Sequence, residues 1–236
     1  MFLILIPILK GKTDTMKIIL SGGGKREQTR ELDSIFFNLV KENKVIFIPH
    51  SRKNEEFGSS FSWVKENLFL PFGHNSFEMW TNLDNKSIED LKDAKGIILG
   101  GGNTFRLLKV LRDSNFIKVL KEFIEREGVV YGISAGAIIL TKDIITAKPL
   151  DKNEVKLEDL SGMDVLEGKS IFCHYEKKYD GVIFDLVNNR DIEVIGLPEG
   201  TGIYINRNVK KIVGSNPAFF FSKKLGKKEL KIGEEV

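Results

Sequence analysis

The chain is poor in the residues that most often mark a reactive site. A single cysteine, Cys173, in 236 residues excludes an intramolecular disulfide and fits a reducing compartment. Its neighbour is His174, but adjacent residues on a strand point to opposite faces. Cys173 therefore reads as a small buried apolar residue, not as a thiol nucleophile. Only three histidines are present, so few side chains can serve as a base. Neither charge is in excess: 36 basic and 33 acidic residues leave a net charge of +3. That balance argues against nucleic acid or an anionic membrane as partner. The one basic run, residues 222–231, reads as a solvated edge. Long apolar runs are also missing. Residues 1–9 are almost wholly apolar, yet a bilayer span takes about 20 residues. The positive flank and small-residue cleavage site of a secretory signal do not accompany them. Met16 opens directly onto a strand-like run. Residues 1–15 are thus expected to be a dispensable extension, and residues 16–236 one cytoplasmic α/β domain.

What remains is an ordinary globular composition, 42% hydrophobic and 29% charged. Strand-like runs alternate with helical ones. Lys17-Ile-Ile-Leu-Ser21 ends in Gly22-Gly23-Gly24. Residues 26–43 form an amphipathic helix, with Leu32, Ile35, Phe36, Leu39 and Val40 at helical spacing. Val45-Ile-Phe-Ile-Pro49 is a second buried strand, and Gly96-Ile-Ile-Leu99 runs into Gly100-Gly101-Gly102-Asn103-Thr104. Helices are expected near residues 59–70, 87–94, 104–111, 116–127 and 180–189. Short continuous apolar strands separated by helices predict a mostly parallel sheet covered on both faces. Such sheets carry their sites at the carboxyl ends of the strands. Phe219-Phe220-Phe221 fits a core strand or part of a dimer surface, so monomer and homodimer both stay open.

One of those carboxyl ends carries the strongest signal. Val129-Val-Tyr-Gly-Ile133 leads straight into Ser134 within Gly132-Ile133-Ser134-Ala135-Gly136. This is a nucleophile elbow, Gly-x-Ser-x-Gly: the flanking glycines let strand and helix approach closely, and the turn lifts the serine oxygen away from the sheet. The Gly100–Gly102 turn exposes backbone N–H groups but has neither the lysine of a phosphate loop nor Gly-x-Gly-x-x-Gly spacing. Beside a serine elbow it reads as an oxyanion hole, with the Gly102 and Ala135 N–H groups as donors. Asn103, in the same turn, is a candidate to touch substrate. His50 and His74 read as solvated turn residues. His174, at the end of an apolar strand beyond the elbow, is the favoured base. Glu199, in Gly196-Leu-Pro-Glu-Gly200, is the favoured acid over Asp143, Asp151, Glu176 and Asp180. The chain order Ser, His, acid differs from the Ser, acid, His of α/β-hydrolases.

Taken together, Gly-Gly-Gly-Asn-Thr-Phe at 100–105, Gly-x-Ser-Ala-Gly-Ala at 132–137 and Gly-Leu-Pro-Glu-Gly at 196–200 resemble the peptidase E (aspartyl dipeptidase) family, related to cyanophycinases. The resemblance runs from about Met16 to about Phe221. It implies a three-layer α/β sandwich of the class I glutamine-amidotransferase type, with serine where cysteine is usual. It also implies a Ser–His–acid hydrolase of short peptides that uses no metal or cofactor. Ser134 matches the nucleophile, His174 the base, Gly102 and Ala135 the oxyanion donors, and Glu199 an acid of the Pro-Glu-Gly motif. An aspartate shortly after the elbow has also been considered for the acid, but Asp143 and Asp151 are out of register. The Gly-Glu-Thr-Arg-like segment that follows the histidine in aspartyl-specific members is replaced by Tyr175-Glu-Lys-Lys-Tyr-Asp180. Lys177 or Lys178 then becomes the candidate positive charge for an acidic substrate. Cleavage of β-aspartyl–arginine units and a non-catalytic sensor role are the alternatives.

Overall fold

Alternation within the central strands organises the whole molecule. The computed structural model describes residues 16–236; the expectation for residues 1–15 lies outside the described residues. In β1 (Lys17–Ser21), β2 (Lys44–Ile48), β4 (Ala94–Leu99) and β5 (Val129–Ile133), successive side chains enter opposite cores. Ile18, Leu20, Ile46, Ile48, Ile97, Leu99 and Val130 face one core, and Ile19, Val45, Phe47, Ile98, Val129 and Tyr131 face the other. A helical layer covers each side. One contains α1 (Arg26–Val40) and α2 (Phe57–Val64); the other contains α3 (Thr104–Asp113), α4 (Phe116–Glu125) and the short α5 (Ala135–Ile138).

The large sheet also contains β3 (Phe77–Met79), β8 (Thr201–Asn206) and β9 (Val209–Gly214), in the order β3-β2-β4-β5-β1-β8-β9. The first five of that order are parallel, and β8 and β9 run antiparallel at one side. A second sheet joins β6 (Lys169–Cys173), β7 (Glu193–Leu197), β10 (Ala218–Ser222) and β11 (Gly226–Leu230) in the order β11-β10-β7-β6. Its inner residues Ile171, Cys173, Ile195 and Leu197 join the core under α3 and α5. The helix α6 (Asp180–Arg190) covers its other face through Ile183 and Val187. Phe221 is fully buried there, with Phe219 packed beside it, so the Phe-rich stretch is a core strand.

One expectation is corrected. Residues 87–94 are not a helix but a short 3-10 turn, Ile88–Leu91: Asp90 Oδ2 accepts the Ser87 N–H at 2.9 Å and hydroxyl at 2.8 Å, and β4 begins at Ala94. The basic run is a solvated edge, as expected: β11 is the outer strand of the second sheet, Lys223, Lys224, Lys228 and Lys231 are exposed, and Lys227 alone among the lysines of the run turns inward. β11 pairs antiparallel with β10, and Lys227 Nζ donates to Asp180 Oδ2 at 2.8 Å and Tyr175 Oη at 2.6 Å.

One buried carboxyl makes stability depend on pH. Asp33, on the inner face of α1, is 2% exposed; Tyr131 Oη donates to its Oδ1 at 2.7 Å and Thr29 Oγ1 to its Oδ2 at 2.9 Å. Desolvation outweighs both hydrogen bonds and pushes its pKa up from 3.8 to about 6. The native state then holds a proton in a range where the unfolded chain has lost it. Stability contributed by protonated Asp33 is therefore present at low pH and lost as pH rises from about 4 to 6, by an amount on the order of 3 kcal/mol. Asp33→Asn is expected to remove that slope and to raise the melting temperature above pH 7, with its amide facing the Thr29 hydroxyl. Melting curves of both proteins from pH 4 to 8 check this; parallel curves contradict it.

Candidate active site

Three neighbouring strands, β4, β5 and β1, end side by side, so the turns after them meet. The middle one is the elbow. Ser134 has φ 51° and ψ −108°, a left-handed backbone that a side-chain-bearing residue rarely adopts. Its N–H donates to the Ser21 carbonyl at 3.0 Å, and its carbonyl accepts from Ala137 and Ile138. The glycines have a steric reason. A Cβ at Gly132 would lie 2.5 Å from the Gly136 carbonyl oxygen, and one at Gly136 would lie 2.1 Å from the Leu99 oxygen.

The second sheet delivers the histidine. Where β6 ends, Cys173 Sγ lies 3.6 Å from the Ser21 oxygen and 3.7 Å from the Ser134 oxygen. Cys173 is buried, and burial pushes its thiol well above the ordinary range, so it is inert packing beneath the elbow. The next residue leaves the strand at φ 52°, and His174 N–H donates to the Gly22 carbonyl at 3.0 Å. The imidazole lies against Gly23: a Cβ there would fall 2.4 Å from His174 Cε1. The glycines after β1 are legible in the sequence, but this duty, room for the imidazole, is not.

Ser134 Oγ lies 2.8 Å from His174 Nε2, and His174 Nδ1 lies 3.1 Å from Glu199 Oε1. The imidazole and the carboxylate are each nearly half exposed. Glu199 is carried on a tight turn after β7, in which Gly200 (φ 74°) donates its N–H to the Gly23 carbonyl at 2.8 Å. The other carboxylates are engaged elsewhere. Asp151 Oδ2 accepts from the N–H and hydroxyl of Thr104 at 2.8 and 2.6 Å, and Asp143 accepts from Ile145 N–H. Asp180 holds Lys227, and Glu176 holds Lys178 at 2.6 Å.

The glycine turn after β4 flanks Ser134 on its other side. Gly102 has φ 147°, and a Cβ on it would sit 2.7 Å from the Ser51 carbonyl oxygen. The Gly101 carbonyl accepts from Ser51 Oγ at 2.7 Å and from Arg52 Nε at 3.1 Å. In a trans peptide the N–H points opposite to that carbonyl. The Gly102 N–H is thereby turned away from Ser51 and Arg52. Neither it nor the Ala135 N–H has a hydrogen-bond partner among the described residues. Gly102, Ser134 and His174 line the same cavity of about 450 Å³.

The structure does not bring Asn103 into this cavity. Its Oδ1 caps α3 by accepting from Arg106 N–H at 2.9 Å, and its Nδ2 donates to the Lys152 carbonyl at 2.8 Å. Both ends of the amide are occupied. Nor are His50 and His74 solvated: they are 6% and 5% exposed, with Nε2 atoms on the carbonyls of Thr81 and Ser76. Sequence inspection misses Ser51 and Arg52. They follow β2 with no motif around them, and only the pairing of β2 with β4 sets them beside the glycine turn.

A mostly parallel seven-stranded sheet with helices on both sides and a serine elbow at its carboxyl edge defines the class: a three-layer α/β fold of the class I glutamine-amidotransferase type. The crystal structure of a peptidase from an acI-B1 Actinobacterium shares the fold, with TM-score 0.72 over 94% of this chain and 98% of that one, at 20% identity. The chain belongs to peptidase family S51, whose family model matches residues 18–213, and is thus a serine-type peptidase. Its relatives include "Probable alpha-aspartyl dipeptidase" of Drosophila melanogaster, 25% identical over 219 residues covering 89% of each chain. Peptidase E of Escherichia coli O1:K1 / APEC is 28% identical over 210 residues, covering 84% of this chain and 88% of that one. No helix among the described residues is long and apolar enough to cross a membrane.

Proposed function

We propose that this peptidase cleaves short peptides, dipeptides foremost, by acyl transfer through Ser134, His174 and Glu199. The observation that carries the proposal is the continuous contact from Ser134 Oγ to His174 Nε2 at 2.8 Å and from His174 Nδ1 to Glu199 at 3.1 Å. His174 takes the Ser134 proton as Oγ attacks the scissile carbonyl carbon. The N–H groups of Gly102 and Ala135 hold the oxygen as it becomes negative. A donor of this kind is worth roughly 3–4 kcal/mol in the transition state. His174 then returns the proton to the leaving amine, and a water, deprotonated by the same ring, releases the acid from Ser134. The relatives' names supply the N-terminal aspartyl residue as the first side chain to test. The single buried cysteine suits a reducing, cytoplasmic setting.

A library of dipeptides with varied first residues, together with β-aspartyl-arginine, tests the substrate. Release of free amino acids from α-linked dipeptides is expected. Turnover of the β-linked compound alone would move the enzyme to the cyanophycinase alternative. Glu199→Gln offers His174 Nδ1 the wrong end of an amide, and is expected to lower kcat by about 100-fold or more with little change in KM. Steady-state kinetics on the best dipeptide check this; an unchanged kcat removes Glu199 from the triad.

A further inference from the structure

The cavities that meet at His174 differ in charge. The main one, about 450 Å³, is walled by Phe47, Pro49, Trp63, Val64, Arg52 and Glu56 beside Ser134. A smaller one of about 190 Å³ on the other side of Gly102 includes Arg52, Thr104 and Asp151. The third, behind the imidazole, includes Glu176 and Glu199. Among the described residues, Arg52 is the sole lysine or arginine on any of these walls, and it lines both cavities that contain Ser134. The cations expected from the sequence point elsewhere: Lys178 is bound by Glu176, and neither it nor Lys177 lines a wall.

We infer that Arg52 is the receptor for a carboxylate of the peptide substrate, its aspartyl side chain or its terminus. The inference rests on the peptidase activity proposed above and adds the residue that reads the substrate's charge. Arg52 is anchored at its base, where Nε donates to the Gly101 carbonyl at 3.1 Å. Its side chain is half exposed, and its one ion-pair partner among the described residues is Glu56, with Oε1 at 3.8 Å from Nη1. That is about 1 Å longer than a charge-assisted hydrogen bond. Glu56 is tied back by its other oxygen, which accepts the Lys53 N–H at 2.9 Å. The guanidinium thus keeps a counter-ion that it does not hydrogen-bond. A planar fork with free N–H groups suits a carboxylate better than a lysine would. The anchor adds a second consequence. The carbonyl that holds Arg52 belongs to the same peptide as the Gly102 N–H, so a carboxylate on Arg52 is registered directly against the oxyanion donor.

Calorimetry on Ser134→Ala protein, which binds without turning over, measures the effect with Asp-Leu, Asn-Leu and Asp-Leu-amide. One of the two neutralised peptides is expected to bind about tenfold to hundredfold more weakly than Asp-Leu, and identifies which carboxylate is read. Adding Arg52→Gln is expected to weaken Asp-Leu by the same factor and to leave that neutral peptide unchanged. Adding Glu56→Gln removes the competing anion and is expected to tighten Asp-Leu severalfold. Both residues are half exposed, so the fold tolerates either change. Equal binding of all three peptides, or a charge preference that survives Arg52→Gln, overturns the inference. Fluorophosphonate labelling of the unmutated chain reports on the peptidase proposal separately. Labelled Ser134 with charge-independent binding keeps the proposed catalysis and rejects the Arg52 role; unlabelled Ser134 with Arg52-dependent binding does the reverse.

Discussion

Ser134→Ala is expected to lower kcat/KM by about 10⁴-fold or more, to the level left by binding and the oxyanion donors alone. The size follows from the geometry. Ser134 Oγ is the atom that His174 Nε2 faces at 2.8 Å, and no other hydroxyl or thiol among the described residues is placed to replace it. Cys173, the nearest thiol, is buried and held protonated by its surroundings. Thr104 and Thr146, which also line the smaller cavity, donate their hydroxyls to Asp151 and to the Ile171 carbonyl. Fold stability should change by less than about 1 kcal/mol. Alanine meets the same positive φ as serine, and the lost contact is half exposed. Peptide hydrolysis and fluorophosphonate labelling measured beside a melting curve decide the matter. A folded, fully active variant would refute the nucleophile.

The second large effect is on folding. Gly136→Ala is expected to cost about 3 kcal/mol or more, and to lower the melting temperature by roughly 6–12 °C. A Cβ at this position would sit 2.1 Å from the Leu99 carbonyl oxygen and 2.7 Å from its carbon. Both are backbone atoms of the last residue of β4, paired on both sides within the sheet, and cannot rotate away. Relief requires α5 to retreat from β4, and α5 begins at the residue after Ser134. The variant should therefore lose activity even where it remains folded. Gly58 gives the control. A Cβ there meets nothing within 4 Å, and the residue lies inside α2, so Gly58→Ala should be neutral or stabilise by up to about 1 kcal/mol. Equal melting temperatures for the two variants would show that the elbow is not close-packed.

Residues that a local pattern places are legible in the sequence. The elbow needs small residues on both sides of Ser134, and the chain carries them contiguously. His174 and Glu199 each follow an apolar strand, which puts them at a carboxyl edge. The misplacements share one cause, competition for a side chain by its local surroundings. Asn103 sits in the right turn, but the first turn of α3 has free N–H groups and its Oδ1 satisfies one of them. His50 and His74 follow turn-like residues, yet aromatic packing against Phe57 and Phe69 buries them.

By itself, then, the sequence determined the serine elbow, the parallel α/β sheet and the order Ser, His, acid. Each of these rests on contacts between residues close in the chain or on the period of buried side chains. Only the tertiary structure decided that His174 arrives from a second sheet, that Gly23 makes room for it, and that Arg52 stands beside Ser134. Those depend on which strands lie side by side. The β2–β4–β5–β1 order and the docking of β6 on the Gly22 turn bring together residues far apart in sequence. Burial of both sheet faces drives that assembly, and no local pattern encodes which distant loops it makes neighbours.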